Sequence, residues 1–364
     1  MKLAFCLFKY YPYGGLERDF LQIAKACFAR GHDIHVFTMH WEGDIPEGFH
    51  VTFIKPSGWS NHGRAKSFAK KLSEILLNIK FDVVIGFNRL PNLDIYFAGD
   101  PCYAKEAEQK HDFLYKLFPR YRTYQTLEDS VFSKNSNTQI LLLNPAHQKD
   151  FTDYYQTPKN RFTLLTPGVN EDRRRPLDQS QIRENFRKEH GIHADEKIIL
   201  MIGSDFKRKG VDRALLVMSS LPAYLKSKIH LWIVGKGNAI SQDRVTFWGP
   251  RDDIIKFYAA ADCFLHPAYQ ETAGMVLIES LAAGLPIIVT QNCGYAPYIQ
   301  KASAGMIIPE PFKQETLNQA VIKILTDETV LADYRQNALN FGKSHDLFHL
   351  AQQVADIIEL KGKK

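Results

Sequence analysis

Two glutamates with seven residues between them, Glu271 and Glu279 in HPAYQETAGMVLIESLAAGLPIIVT, are the side chains best spaced to do chemistry in this sequence. An apolar strand-like run ends in His-Pro, the first acid follows, and Ala273 and Gly274 lead into an apolar helix carrying the second acid. Gly274 allows backbone to come close to a ligand. The start of the helix, with Ala273, Gly274, Met275 and Val276, offers N–H groups and the positive end of a dipole, which suits a diphosphate. Glu279, one to two turns further on, is an acceptor-only carboxylate suited to pairing with both hydroxyls of a diol. A lone pair of acids at this spacing is commonly an ordinary amphipathic helix with two solvated glutamates. The flanking order of strand, His-Pro, acid, Ala-Gly, helix, acid, Ala-Gly-Leu-Pro and strand argues against that.

A second constellation, GSDFKRKGVDR, follows a strand-like run and opens a helix, placing Arg208 and Lys209 at its mouth. Two cations beside a helix N-terminus can hold a leaving diphosphate and stabilise its developing charge. Near the N-terminus, Gly14 and Gly15 occupy the loop between the first strand and a helix expected from about Asp19. They resemble a phosphate-approach loop for the donor diphosphate, without the full G-x-G-x-x-G of a dinucleotide site, and taken alone are only a turn. Asp19 and Asp100 are the acids to place near an acceptor, Asp100 because it ends FAGD after a strand-like run; either is also an ordinary cap or turn carboxylate. Between Cys102 and Tyr124, Lys105, Lys110, Lys116, Arg120 and Arg122 interleave with aromatic and leucine side chains at helical spacing. That pattern suits an anionic headgroup interface, and equally a helix with an aromatic core face.

Two sets of buried-type strands alternating with helices must position these residues. LAFCLF, a helix to Arg30 and DIHVFTM read as β-α-β, and FDVVIGFN and QILLLN extend the same parallel sheet. From Lys197 the order KIILMIG, helix, IHLWIVG, RVTFWG, helix, CFLHP, helix, PIIVT gives a second doubly wound α/β domain. The punctuation at Pro167 and Gly168 sets the expected boundary: an acceptor domain over 1–168 and a nucleotide-sugar domain over 169–344, with a helix over about 345–364 packing back onto the first. Two such lobes imply a cleft between them.

A chain of 364 residues is long for one core, and 45% hydrophobic with 24% charged residues is globular composition. No apolar stretch approaches the roughly 18 residues of a membrane span. The opening run is broken by Lys9 and has no small-residue cleavage site, so it is a strand and not a signal peptide. Five scattered cysteines without a CxxC pair argue for a reducing cytosol and against disulfide or zinc frameworks. A net charge of +6 favours anionic partners without selecting nucleic acid, and none is expected.

FKYYPYGGLERDF, RGHDIHVFT, WEGD, NHGR, VIGFN, FAGDPCYA, GSDFKRKGVDR, HPAYQETAGMVLIES and CGYAPYI together resemble the family 4 retaining glycosyltransferases of the GT-B fold, over nearly the whole chain. The resemblance is strongest to those that add glucose to inner-core heptose of bacterial lipopolysaccharide. It implies a hexosyltransferase with two Rossmann-like domains, taking UDP-glucose as donor and a phosphorylated heptose-containing core as acceptor. It implies retention by a front-face route, with Lys209, Arg208, Glu271, Glu279 and the Gly274 backbone on the donor, and work at the cytoplasmic face of the inner membrane as a peripheral protein. In many relatives an arginine directly follows the first glycine of the basic motif; here Ser204 follows Gly203, and Arg208 takes that role. No D-x-D occurs, so no metal is expected. A transferase with another UDP-sugar or glycan acceptor, and a non-catalytic nucleotide-sugar binder, are the alternative readings.

Overall fold

The computed structural model describes residues 1–12, 14–110 and 112–363. The chain forms two compact units, Met1–Thr166 with His349–Lys364, and Pro167–Phe348. The division falls two residues before the expected Gly168, at the proline that cannot continue a ladder.

The first unit contains β1 (Lys2–Cys6), β2 (Lys9–Tyr10), β3 (Asp33–Thr38), β4 (His40–Trp41), β5 (Phe49–Phe53), β6 (Val83–Gly86), β7 (Ile95–Ala98), β8 (Gln139–Leu142) and β9 (Phe162–Leu164). Among the described residues seven of these make one sheet, in the order β5-β3-β1-β6-β7-β8-β9, and every pairing is parallel. β1, β6, β7 and β8 are apolar almost throughout because helices cover both of their faces. The helix Leu350–Gly362 closes this unit: Asp356 pairs with Arg30 at 2.6 Å, Glu359 with His32 at 2.9 Å, and Gly362 lies against Met1 and Val83.

The second unit holds β10 (Lys197–Ile202), β11 (Ile229–Val234), β12 (Val245–Gly249), β13 (Cys263–His266), β14 (Ile287–Thr290) and β15 (Gly305–Ile308), all parallel, in the order β12-β11-β10-β13-β14-β15. β5, β9 and β15, which the sequence reading did not single out, are edge or next-to-edge strands with mixed exposure, so their apolar signal is weak. In both sheets the strand order reverses beside the first strand. That switch lies between β1 and β6 in one unit and between β10 and β13 in the other, and open α/β sheets take ligands beyond the strand ends at such a switch.

A buried carboxylate fixes the entry to β13. Asp262, 2% exposed, accepts from Arg183 Nη2 at 2.6 Å, from Arg187 Nη1 at 3.2 Å and from the Ile198 amide at 2.8 Å. Arg183 and Arg187 lie on the helix Gln179–Glu189, so this one acid ties that helix to β10 and β13. Asp262→Ala would leave two guanidinium groups without their counter-charge. We expect a loss of about 3–5 kcal/mol from the second unit, read from the denaturant midpoint followed by the fluorescence of Trp232 and Trp248, both in that unit.

Candidate active site

β10 and β13 are neighbours, with Ile199 opposite Cys263 and Leu200 opposite Phe264, so the loops leaving their carboxyl ends emerge side by side. From β10 the chain turns at Gly203 and runs through Asp205, Arg208 and Lys209 to Gly210, which starts the helix Val211–Ser220 with φ +72°. A Cβ on Gly210 would stand 2.1 Å from the Pro267 carbonyl, so glycine is required both by the left-handed backbone and by the approach of the second loop. The Tyr269 amide donates to the Arg208 carbonyl at 2.9 Å, joining the loops by backbone.

Arg213 locks the second loop from below. It is 8% exposed, its guanidinium lies 3.7 Å from the Tyr269 ring centre and 3.6 Å from that of Phe312, and it donates to the Pro267 carbonyl at 3.1 Å. The Tyr269 hydroxyl donates to Asp212 at 2.6 Å, and Thr290 Oγ1 to the Ala268 carbonyl at 2.6 Å. From the far side the loop after β14 bonds to the same segment: the Glu271 amide donates to the Asn292 carbonyl, the Gly294 amide to the Glu271 carbonyl, and the Tyr295 amide to the Ala273 carbonyl.

Glu271 is thereby held at the centre. Its Oε2 accepts from Lys209 Nζ and, at 2.9 Å, from Arg208 Nη1, while His266 Nε2 stands 3.7 Å away, beyond hydrogen-bond reach. Burial, the largest single influence, would raise this carboxyl, but His266, Lys209 and Arg208 together outweigh it and hold it well below the usual carboxylate range. Burial, the largest influence, lowers His266, which is 1% exposed. Arg208 is also steered by Asp205, with 3.3 Å between Nε and Oδ2. The two cations expected beside a diphosphate are therefore both present, on one largely enclosed acid whose side chain is 12% exposed.

Gly274 takes φ +90° and begins the helix Met275–Ala283, whose first turn has no side-chain cap. A Cβ there would stand 3.3 Å from Glu271 Cγ. Ala273 is 8% exposed, and Met275 and Val276 form the first turn. Glu279 is not on a solvated face: it is 7% exposed and accepts from the Tyr258 hydroxyl at 2.8 Å. Burial, and then Glu279 itself, push the Tyr258 hydroxyl well up, so it stays a donor. The sequence reading missed Tyr258, Arg213 and Asn292, and gave His266 no role beyond the motif. Arg213 ends the quoted GSDFKRKGVDR and His266 opens the His-Pro of the acidic motif, whereas nothing in the sequence pointed to Tyr258 or Asn292.

In the first unit the helix starts earlier than expected, at Gly15 with Gly14 as N-cap, so Asp19 is its fifth residue and is 8% exposed. Gly-Gly does not break the helix here because Gly15 needs only ordinary helical dihedrals. Asp100 is exposed just beyond β7, and Gly99 before it lies against Leu16, where a Cβ would be 2.9 Å from Leu16 Cδ1. Asp100 acts on Glu17, an acid the sequence reading did not select. Glu17 is raised first by burial and further by Asp100, and it bonds to Tyr11.

The segment 102–124 is not one helix. It comprises the helix Tyr103–Lys110, a 3-10 turn Phe113–Leu117 and the start of the helix Pro119–Phe132, where Pro119 takes the first helical position. Tyr103, Tyr115, Tyr121 and Tyr124 pack together, whereas Leu114, Leu117 and Phe118 are exposed near the exposed Arg120 and Arg122. Glu128, fully buried, accepts from the amides of Tyr103 at 2.8 Å and Ala104 at 3.0 Å and pairs with Arg89 at 3.2 Å, fixing the chain that follows Asp100. Among the described residues no helix is long and apolar enough to cross a membrane.

The family model for Glycosyltransferase Family 4 matches residues 13–173, and that for group 1 glycosyl transferases matches 182–341. The lipopolysaccharide glucosyltransferase WaaG of Escherichia coli is 41% identical over 368 residues, 98% of each chain. A crystal structure of WaaG, described as a glycosyltransferase involved in lipopolysaccharide biosynthesis, superposes with a TM-score of 0.90 at 40% identity, covering 98% of this chain and 99% of that one. Anabaena HepE, solved in complex with UDP and glucose, shares the fold at TM-score 0.74 and 16% identity over 99% of both chains. Through its identity over almost the full length, its two matching halves and its common fold, the chain belongs to the GT-B glycosyltransferases, in the family of the lipopolysaccharide glucosyltransferase WaaG.

Proposed function

We propose that the protein moves glucose from UDP-glucose to a heptose of the lipopolysaccharide inner core, with retention of configuration and without a divalent metal. The observation that carries this reading is the Glu271 carboxylate shared by Lys209 and Arg208 at the β10–β13 switch, beside the start of the helix Met275–Ala283. An entering diphosphate shares the two cations with Glu271 and meets the amides of Gly274, Met275 and Val276. Glu271 then has an oxygen to spend on a hydroxyl of the donor sugar, and Glu279 pairs with the ribose.

As the glycosidic bond forms on the same face, the departing β-phosphate oxygen accepts the proton of the acceptor hydroxyl, so no carboxylate nucleophile is needed. Lys209 and Arg208 stabilise the charge that builds on the leaving diphosphate, the task a metal performs elsewhere. On the first unit, Asp19 and Asp100 are assigned to the acceptor, and Gly14 and Gly15 to the approach of the donor diphosphate and transferred sugar. The exposed Leu114, Leu117 and Phe118 with Arg120 and Arg122 support peripheral docking on the anionic cytoplasmic face of the inner membrane, where a lipid-linked acceptor is made.

Purified protein given UDP-glucose and a truncated core should yield one added hexose by mass spectrometry, and UDP-galactose or UDP-N-acetylglucosamine much less. Tight UDP binding without product from any donor would point instead to a binding protein. Lys209→Ala and Glu271→Ala should each lower kcat/KM by about 10²-fold or more while the fold stays intact by circular dichroism, and transfer should survive exhaustive chelation with EDTA.

Flotation with anionic vesicles should be lost when Lys116, Arg120 and Arg122 are neutralised together; unchanged flotation would remove this segment from the membrane contact. The ion pairs of Glu271 also set a pH dependence. Its native value is depressed, so its contribution to stability is complete above the unfolded value of about 4.3 and is lost as pH falls toward the native one. The stability gap between wild type and Glu271→Gln in urea should therefore stay constant from about pH 8 to about pH 5 and narrow at lower pH.

A further inference from the structure

We propose that Asp33, His35 and His50 form a surface site for one divalent transition-metal ion of the zinc type, separate from the residues assigned to sugar transfer. Asp33 and His35 are two apart on β3 and so project from the same face of the sheet. His50 on β5 is the register partner of His35, which brings a third donor to that face.

The two imidazoles stack with 4.8 Å between centres and 26° between planes, and each presents Nε2 to the same carboxylate: His35 to Oδ2 at 2.9 Å and His50 to Oδ1 at 3.4 Å. Among the described residues this is the one group of three His, Cys, Asp or Glu side chains whose donor atoms all lie within 4.8 Å. Around a tetrahedral ion with bonds near 2.0–2.1 Å, neighbouring ligand atoms stand about 3.3 Å apart; each imidazole already stands near that distance from one of the two Asp33 oxygens, and one donor atom from each residue lies within 4.8 Å of the others. An ion can therefore enter with small side-chain rotations.

Two imidazole nitrogens with one carboxylate suit zinc, nickel or copper, while calcium and magnesium prefer all-oxygen sites. Three protein ligands leave one position for water. The Phe81 ring packs edge-on against His35 at 5.3 Å and steadies one ligand, while the side chains of Asp33 and His50 are 48% and 63% exposed and open to solvent. Because β5 is the edge strand, a bound ion would clip it to β3. Asp33 is the first residue of β3, so the cluster sits toward the amino ends of the strands, whereas Asp100 follows the carboxyl end of β7.

The test uses the full chain without an affinity tag, stripped by chelator and titrated with Zn²⁺ in a calorimeter and with Co²⁺ by its visible ligand-field band. One equivalent should bind and raise the melting temperature. His35→Ala and His50→Ala should each weaken binding by at least about tenfold and abolish the melting shift, with metal-free melting unchanged for His50→Ala. If His35→Ala disturbs the fold, His50→Gln, at an exposed edge position, decides alone. Failure of the wild type to take up one equivalent, or wild-type affinity in His50→Ala and His50→Gln, overturns the proposal. Either outcome leaves the transfer assay untouched, so the two readings stand or fall separately.

Discussion

Everything at the candidate site is arranged around one largely enclosed carboxylate and the two cations that share it. A charge as enclosed as Glu271 is stable only with partners, and here the partners come from the loop after the neighbouring strand. The same pairing that makes the acid tolerable also holds the Lys209 and Arg208 head groups in place before any anionic ligand arrives. Ordering two long cationic side chains in advance removes entropy that binding would otherwise have to overcome.

The scaffold shows how that arrangement is kept. Gly210 and Gly274 adopt left-handed backbone where the two loops must come close to one another and to the helix start. Arg213 fills the space beneath with a cation stacked between two rings, and Asp262 anchors the far end of β13, so the strand bearing His266 is fixed at both ends. Electrostatics and packing act on the same short stretch of chain. The family membership agrees with this frame, since both matching halves are present in order and at nearly full length.

Much of the second unit was legible because buried parallel strands are written as continuous apolar runs and their turns as glycine. KIILMIG and CFLHP are such runs, and both became central strands. Edge strands such as β15 were missed because a half-covered strand lacks the run. The early start of the first helix was missed because a glycine pair reads as a loop, although Gly14 here is the N-cap and Gly15 the first helical residue. The segment after Cys102 keeps helical spacing of aromatics and cations across a break, although the structure divides it into the helix Tyr103–Lys110, the turn Phe113–Leu117 and a second helix starting at Pro119.

The identity of the charged groups, the glycines that free the backbone and the alternation of strand and helix were fixed by the order of amino acids alone. Which of those groups meet was not. Lys209 and Arg208 stand 62 and 63 residues before Glu271, and Tyr258 stands 21 before Glu279. A parallel sheet joins neighbouring strands through long crossovers, so residues adjacent in space are distant in the chain, and their pairing, burial and protonation exist only once the sheet has formed.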